Sequence, residues 1–408
     1  MRWKRFISLV VAGLLSALCL ACTETALRSP TEAPEREPAA MTITKPDSPA
    51  APEQPAALPP KAQELITSIG PEGLYDPPRG SVRLAVISDL NAAYGSTHYD
   101  PEVDAALSLL PFWQPDIVIC SGDMVAGQDL SLSTEQIKAM WAAFDEHVAT
   151  RLRQAKLPFG FTVGNHDASS ALGINNKHLF KQERDLASAY WNEPGHDPGV
   201  EFIDRFEFPF YYSFKYGDIF FLAWDGSSSH IPAEKLAWVE KALGSEAAQQ
   251  AKLRILVGHL PLYSVAIGRD QPGDVMDDAD KLRDLLERYD VHTYISGHHH
   301  AYYPAKKGKL ELLHMGILGS GPRPLVDSKL PPWKAMTIVD IDFDQAVKTR
   351  YTTYDMRELG RLIEYEDLPR FLLGHNGLLV RRDIDPKTLS PEEKALCEQR
   401  LGAAKCLS

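Results

Sequence analysis

The chain has 408 residues, 44% of them hydrophobic, and its 43 lysine and arginine residues against 55 aspartate and glutamate residues give a net charge of −12. This length could hold two or three domains of average size. The negative charge argues against a nucleic acid as a partner, because a phosphate backbone is bound by positively charged surfaces.

The chain begins with the features of a secretion signal. A basic start precedes an apolar stretch over residues 7–21, which is shorter than the roughly 20 residues that cross a bilayer. The stretch ends at Leu20-Ala21-Cys22, which resembles a bacterial lipoprotein signal, where the cysteine becomes the acylated first residue. We expect residues 1–22 to be such a signal and the protein to be exported, with a lipid on Cys22 anchoring it to a membrane on the periplasmic or cell-surface side. A plain signal peptide cut nearby is the alternative.

Composition divides the rest of the chain. The first part of residues 23–73 is rich in proline, alanine, glutamate and threonine. Such residues bury too little apolar surface to offset the entropy lost when the chain becomes ordered, so we predict that residues 23–73 form a disordered proline-rich tether. The main domain is predicted over 74–355, with a C-terminal extension over 356–408. In an exported chain, Cys397 and Cys406 favour a local disulfide over two free thiols.

The first half of the main domain alternates between strand and helix patterns. Apolar runs over 83–88, 116–120 and 159–163 predict buried strands. Helical spacing over 101–110 and 134–152 separates them. A strand, a helix and a second strand form the unit that makes a parallel pair, so we expect a parallel sheet.

The second half opens with aromatic alternation over 206–223, where the turn at 216–218 predicts an antiparallel hairpin. The remaining predicted elements are helices at 236–243 and 281–288 and strands at 253–257, 293–296, 310–315 and 335–343. We predict an α/β fold with a two-layer β-sandwich core flanked by helices, in the layer order α/β/β/α.

Five short polar clusters follow five of the apolar runs. They are Asp89-Leu90-Asn91, Gly122-Asp123, Gly164-Asn165-His166-Asp167, Gly258-His259 and Gly297-His298-His299-His300. A single Gly-Asp or Gly-His pair usually marks only a turn. Because each cluster follows a strand, we expect all five to converge at one edge of a sheet. Carboxylate, amide and imidazole groups together suit two divalent ions that share one anionic ligand.

In this order the clusters resemble those of the calcineurin-like metallophosphoesterase superfamily, over roughly residues 80–325. The resemblance implies hydrolysis of phosphomonoesters or phosphodiesters by a metal-bound hydroxide at a dinuclear site. Alternate side chains of an extended segment point to opposite sides, so we do not expect His299, the middle of three histidines, to be a ligand. The resemblance implies that His166 faces the substrate, where it protonates the leaving oxygen or stabilises the phosphoryl group. It assigns one metal to Asp89, Asp123 and His300, and the other to Asp123, Asn165, His259 and His298.

Two positions depart from the family pattern. Asn91 stands where histidine is usual, so the first metal would gain an amide oxygen or a water, which favours manganese, magnesium or calcium over zinc. Iron remains among the candidate ions. Ala126 stands where a carboxylate or amide usually orients His166, so His166 would lack this partner unless Gln128 or Asp129 replaces it. These departures leave a second hypothesis open, a lipid-anchored binding or scaffold protein with a degenerate site.

Selectivity among phosphate esters is not encoded in these motifs. We expect the loops over 168–205 and 265–280 to set it. Arg323, in the Gly-Ser-Gly-Pro-Arg segment that begins at Gly319, could grip a phosphate, and a surface turn is an equal alternative.

Overall fold

The computed structural model describes residues 57–406. The predicted signal peptide, Cys22 and the part of the predicted tether before residue 57 lie outside the described residues. In chain order the strands are β1 (Val82–Ile87), β2 (Ile117–Cys120), β3 (Phe159–Phe161), β4 (Glu201–Glu207), β5 (Tyr211–Tyr216), β6 (Ile219–Ala223), β7 (Leu253–Val257), β8 (Thr293–Ser296), β9 (Tyr303–Lys307), β10 (Leu310–His314), β11 (Ala335–Ile341), β12 (Thr349–Asp355), β13 (Phe371–Gly374) and β14 (Gly377–Arg381).

Helices connect many of these strands. In chain order they are α1 (Pro60–Ile69), α2 (Pro101–Trp113), α3 (Thr134–Phe144), α4 (Thr150–Gln154), α5 (Asn165–Ala168), α6 (Lys181–Asn192), α7 (Ala233–Leu243), α8 (Glu246–Gln250), α9 (Ala279–Arg288) and α10 (Pro391–Leu401). A π-helical turn over Asp145–Ala149 joins α3 to α4, so the single helix predicted over 134–152 is interrupted.

The first three polar clusters follow strands of a five-stranded sheet with the order β12-β11-β1-β2-β3. Strands β1, β2 and β3 are parallel, with Ala85 aligned to Val118 and Val118 aligned to Phe159. Every residue of β1 is buried. Because the three strands run in the same direction, the clusters that follow them lie at the same edge of this sheet.

The last two clusters follow β7 and β8 of a second, nine-stranded sheet with the order β13-β14-β9-β10-β8-β7-β6-β5-β4. Strands β6, β7, β8 and β10 are parallel. The prediction that all five clusters converge at the edge of one sheet was therefore wrong. An apolar run identifies a buried strand, but it does not identify the sheet to which that strand belongs.

The two sheets face each other, and side chains link them directly. The hydroxyl of Tyr212 on β5 donates to the backbone oxygen of Phe161 on β3 at 2.6 Å, and the Phe161 nitrogen donates back at 3.0 Å. The hydroxyl of Thr162 donates to the backbone oxygen of Trp224 at 2.7 Å. The predicted α/β fold, with two sheets flanked by helices, is confirmed.

Part of the segment predicted to be a tether is ordered. Helix α1 lies within the 23–73 range, so the prediction of disorder was wrong for its residues. Leu65, Ile66 and Ile69 pack against the core and Ala62 is fully buried. Their helical spacing provides the apolar face that the preceding proline-rich stretch lacks.

The segment after residue 356 completes the larger sheet. Strands β13 and β14 form a hairpin, and β14 pairs with β9. The predicted disulfide between Cys397 and Cys406 is confirmed, with a Cα–Cα distance of 5.8 Å, and Cys120 is a buried free thiol. Among residues 57–406, no helix has the length and apolar character needed to span a bilayer.

Candidate metal centre

Strand ends from both sheets deliver carboxylate and imidazole groups to one place. Asp89 follows β1, Asp123 follows β2 and His259 follows β7. One ligand atom from each of these buried side chains lies within 4.8 Å of those from the other two. His300, which follows β8, places Nε2 at 3.4 Å from Oδ1 of Asp89. The two facing sheets thus contribute to a single polar cluster.

The side-chain oxygen of Asn165 lies at the centre of the adjoining group. Oδ1 of Asn165 is 2.9 Å from Nε2 of His259 and 2.8 Å from Nδ1 of His298. The Asn165 amide nitrogen donates to Oε1 of Gln128 at 2.7 Å, which turns the carbonyl oxygen towards the two rings. Nε2 of His259 also lies 3.2 Å from Oδ2 of Asp123. Atoms that can bind a cation therefore extend from Asp89 to His298 as a continuous set.

Several of these groups face one another as hydrogen-bond acceptors, with no donor between them. Nδ1 of His259 lies 2.8 Å from the backbone oxygen of Ser121, which can only accept, so Nδ1 carries a proton. In a neutral ring, Nε2 is then an acceptor that faces two more acceptors, on Asn165 and Asp123. Oδ2 of Asp123 is buried and accepts no hydrogen bond from the described residues. A cation among these atoms would satisfy them all, and a mixed oxygen and nitrogen donor set suits a divalent metal ion.

Backbone carbonyls orient the histidine rings. Nδ1 of His300 lies 3.0 Å from the backbone oxygen of Gly321, so this nitrogen donates and Nε2 faces Asp89. His259 is held in the same way by Ser121. A hydrogen bond at the outer nitrogen fixes the tautomer and raises the basicity of the inner nitrogen, which is the common arrangement for metal-binding histidines.

Four residues of the cluster hold left-handed backbone conformations. The φ angles are +50° at Asp89, +55° at Asp123, +63° at His298 and +53° at His300. Such a conformation costs about 1–3 kcal/mol for a residue other than glycine and is commonly retained where function requires it. At Gly122, with φ +101°, a Cβ atom would lie 2.7 Å from Nδ1 of His259, so glycine allows the loop to pass beneath the ring.

The charges in the cluster suit a cation. Burial opposes ionisation of Asp123, but the positive charges of His259 and His166 outweigh it and hold the pKa of this carboxyl below its usual range. The proton that gives His259 this charge lies on Nε2, which faces Asp123, and a cation bound there would replace it. Burial, followed by the charge of His259, keeps the pKa of His298 well below its usual value. An ionised carboxylate beside a neutral imidazole is the protonation state in which these side chains bind metals.

His166 lies beside the cluster and is fixed at two points. Its Nδ1 donates to the backbone oxygen of Gly127 at 2.8 Å, and its backbone nitrogen donates to Oδ1 of Asp123 at 2.8 Å. Neither Gln128 nor Asp129, the two residues considered as replacements for the missing partner, orients His166. The loop that lacks a side-chain partner at Ala126 supplies a carbonyl oxygen in its place, and Gln128 orients Asn165.

Two buried carboxylates that were assigned no role hold the loop after β2. Asp167 accepts three backbone hydrogen bonds at 2.7–2.9 Å, from residues 124, 125 and 164. Glu183 on α6 accepts two, at 2.9 and 3.3 Å, from the backbone of residues 128 and 129. Asp167 belongs to a cluster that the sequence marks. Glu183 lies within a helix, and no local pattern distinguishes it.

Glu183→Gln is expected to change how stability depends on pH. Burial raises the pKa of Glu183 from 4.5 to about 7. A carboxyl that holds its proton more tightly when folded gives its full stabilisation below pH 4.5 and loses it as the pH rises through 7. Glutamine does not ionise, so between pH 4.5 and pH 8 the difference in unfolding free energy should move in the variant's favour by about 1–3 kcal/mol. Denaturant titrations across this range measure it.

The matched control for this comparison is Glu398→Gln, at an exposed glutamate on α10 whose side chain forms no hydrogen bond or ion pair with any described residue. The difference between this variant and the wild type should stay constant with pH. A pH-independent difference for Glu183→Gln as well would contradict the raised pKa.

Asn91 and His299 have different surroundings. Asn91 is buried, and its backbone nitrogen donates to the backbone oxygen of Asp123 at 3.3 Å. Its side chain forms no hydrogen bond with any residue in the 57–406 range. Both ring nitrogens of His299 are engaged by backbone groups, at 3.2 Å from the nitrogen of Val265 and 2.9 Å from the oxygen of Asp274. The ring of His299 therefore does not join the cluster.

Comparison with known families agrees with this geometry. The family model for calcineurin-like phosphoesterases matches residues 82–302, which is more than half of the chain. The chain belongs to this family. The matched interval begins at β1 and includes all five polar clusters. Calcineurin-like phosphoesterases use divalent metals, and membership supports the prediction of a hydrolase that acts on phosphate esters.

Several solved structures are similar to this phosphoesterase at low sequence identity. Purple acid phosphatase PPD1 from yellow lupin (Lupinus luteus) seeds is 17% identical with a TM-score of 0.51, over 71% of this chain and 54% of the plant protein. GAP50 from Plasmodium is 15% identical with a TM-score of 0.43, over 69% of this chain and 87% of GAP50. Sulfate thiohydrolase SoxB from Thermus thermophilus is 14% identical with a TM-score of 0.40, over 72% and 60%.

The chain thus spans just over half the length of the plant phosphatase. At 17% identity, the likeness to the plant phosphatase shows a common fold alone. No sequence among curated proteins matches the chain.

Proposed function

We propose that this phosphoesterase hydrolyses phosphomonoesters or phosphodiesters at a site that holds two divalent metal ions. The observation that carries the proposal is the convergence of acceptor atoms from both sheets, which leaves Oδ2 of Asp123 buried without a hydrogen bond from any described residue. Asp123 would be the ligand that the two ions share. We assign one ion to Asp89, Asp123 and His300, with Asn91 contributing its amide oxygen or a water, and the other to Asp123, Asn165, His259 and His298.

The identity of the ions follows from the donor atoms. At the first site the replacement of a usual histidine by Asn91 increases the share of oxygen donors, which favours manganese, magnesium or calcium over zinc. At the second site two imidazoles and two oxygens also suit iron or zinc. We propose two different affinities, with the Asn91 site being the weaker.

Divalent ions supply Lewis acidity, which activates water at neutral pH and polarises the phosphoryl oxygens. The residues of the chain handle the leaving group. Because Nδ1 of His166 donates to Gly127, Nε2 is the nitrogen that remains for the substrate. When protonated, it can give its proton to the leaving oxygen. The backbone hydrogen bond from His166 to Asp123 keeps this ring in a fixed position relative to the shared carboxylate.

Metal analysis combined with a panel of aryl phosphate monoesters and diesters tests the proposal. We expect divalent metal in the purified protein, hydrolysis of at least one ester class, loss of activity on chelation and recovery with manganese. A protein that carries no divalent metal and remains inert after manganese addition would contradict it.

A second candidate is a lipid-anchored binding or scaffold protein, favoured by the departures at Asn91 and Ala126. The same panel separates the two candidates. Binding of a phosphorylated ligand without turnover under any of the metals would support the binding protein over the hydrolase.

We further propose that the phosphoesterase is exported and anchored through a lipid on Cys22, with the proline-rich segment as a spacer between the membrane and the domain. The order of basic, apolar and cysteine residues at the start of the chain supports this. Cys22→Ser should release the protein from the membrane fraction and abolish incorporation of labelled fatty acid. Unchanged membrane association would contradict the anchor.

A further inference from the structure

Two loops next to the metal cluster are tied together and to its last histidines. The backbone nitrogen of Arg323 donates to the oxygen of His300 at 3.0 Å. Ile267 donates to the oxygen of Pro324 at 2.9 Å, so residues 266–269 run alongside residues 323–325. The first loop is also held by His299, whose ring accepts from the nitrogen of Val265. Both loops are therefore fixed relative to the metal-binding histidines.

An arginine stands on each loop, and the two lie close to each other. A Cβ atom on Gly268 would be 3.0 Å from Nη1 of Arg323, which places this guanidinium against the residue that precedes Arg269. Both arginines are partly buried, and the Nε atom of each is buried without a hydrogen bond to any described residue. Two positive charges in a partly buried place repel each other unless an anion lies between or beside them.

The local carboxylates balance only one of these two positive charges. The acidic residues nearest to the two arginines along the chain are Asp270, Asp274 and Asp327, and each already has a partner. Asp270 bonds to His375 at 2.9 Å, Asp327 pairs with Arg400, and Asp274 lies 3.3 Å from Nη1 of Arg269. Arg323 forms no hydrogen bond and no ion pair through its side chain within the part of the chain that the structure describes. Asp274 therefore pairs with Arg269, and Arg323 is left without an ion-pair partner among residues 57–406.

We infer that Arg269 and Arg323 form an anion subsite beside the metal centre, which binds a second anionic group of the substrate. The inference rests on the proposed hydrolase function. A guanidinium presents paired N–H groups that match the oxygens of a phosphate or carboxylate, so the subsite would be selective for such groups. The substrate class is then a phosphate ester that carries another phosphate or a carboxylate near the scissile phosphate.

Non-hydrolysable ligands test the subsite without relying on turnover. The probes are α,ω-alkanediphosphonates with one to four methylene groups, the matching phosphonocarboxylates and the matching alkylphosphonates. Calorimetric titration of the full chain should show at least one two-headed ligand that binds about 10-fold or more tightly than its one-headed counterpart. The better second group, phosphonate or carboxylate, identifies the chemistry that the subsite recognises.

Variants locate the effect. Arg323→Ala and Arg269→Ala should bring the ratio of the two affinities close to one, and Arg323→Lys should give an intermediate ratio because it keeps the charge and loses the planar fork. Arg361→Ala, which removes an exposed arginine elsewhere, should preserve the wild-type ratio. Because the Arg323 side chain has no hydrogen bond to the described residues, its removal should leave the circular dichroism spectrum unchanged.

Equal affinities for one-headed and two-headed ligands in the wild type would overturn the inference. A wild-type ratio that survives in both arginine variants would also overturn it. Failure of the proposed function looks different. If the protein shows the expected affinity ratio but hydrolyses no ester, the anion subsite is supported and the hydrolase function is contradicted. If the protein hydrolyses esters but shows a ratio of one, the hydrolase function is supported and the anion subsite is contradicted.

Discussion

Asp123→Ala should lose both metal binding and hydrolysis. Asp123 offers a ligand atom within 4.8 Å of those of both His259 and Asp89, and its Oδ2 atom is buried without a hydrogen bond from the described residues. Removing the shared carboxylate should therefore lower the affinity of the site for both proposed ions. We expect less than one bound ion per chain by elemental analysis and a fall in kcat/KM of more than about 10³-fold, because metal ions supply several kcal/mol of stabilisation to the transition state.

Asp129→Ala is the control for this variant. Asp129 stands on the same loop, and its carboxylate bonds only to Ser131 among the described residues. Metal content and kcat/KM should remain near the wild-type values. Because Asp123 is buried, circular dichroism of both variants must show an intact fold, and Asp123→Asn, which keeps the shape and loses the charge, provides a second measurement. Two ions retained in a folded Asp123→Ala protein would refute its bridging role.

His166→Ala should separate chemistry from metal binding. The His166 ring is held by Gly127 outside the group of proposed ligands, and only its backbone contacts Asp123. The variant should keep its metal content and its fold while kcat falls by about 10²–10⁴-fold, the range for loss of a general acid. The deficit should be smallest for esters with good leaving groups such as 4-nitrophenol, because these need little protonation.

His98→Ala removes an exposed histidine from the loop after β1 and is the matched control. It should preserve both kcat and metal content. Loss of metal from His166→Ala in parallel with its loss of activity would show that His166 supports the metal centre, and the assignment of a general acid would then be wrong.

Much of the fold could be predicted because the main domain is strongly patterned. The apolar runs before Asp89, Asp123 and His259 each form a buried strand, and helical spacing marked α2, α7 and α9. These signals are local, since one face or one run of the segment itself carries them. The five polar clusters are local in the same way, which makes them recognisable from the amino-acid sequence alone.

The misses concern relations between distant segments. Sequence does not state that β7 and β8 belong to a different sheet from β1, nor that β13 and β14 extend the larger sheet. Strand β4 is mostly exposed, so its alternation is weak. Glu183 accepts hydrogen bonds from a loop more than fifty positions earlier in the chain. The donors are backbone N–H groups, which are the same for every residue except proline and therefore leave no sequence signal. The hydrogen bond from His166 to the backbone carbonyl of Gly127 could not be predicted for the same reason, because every residue has a backbone carbonyl.

The origin of the cluster in two different sheets has a consequence for the whole molecule. Asp89, Asp123 and Asn165 come from one layer of the sandwich, and His259, His298 and His300 come from the other. A metal ion bound by residues of both layers would connect the two sheets. Metal occupancy and thermal stability would then be thermodynamically linked. Saturation at one hundred times the dissociation constant would add about 2.7 kcal/mol to the folded state. Metal supply in the surroundings of the protein would then govern its lifetime as well as its chemistry.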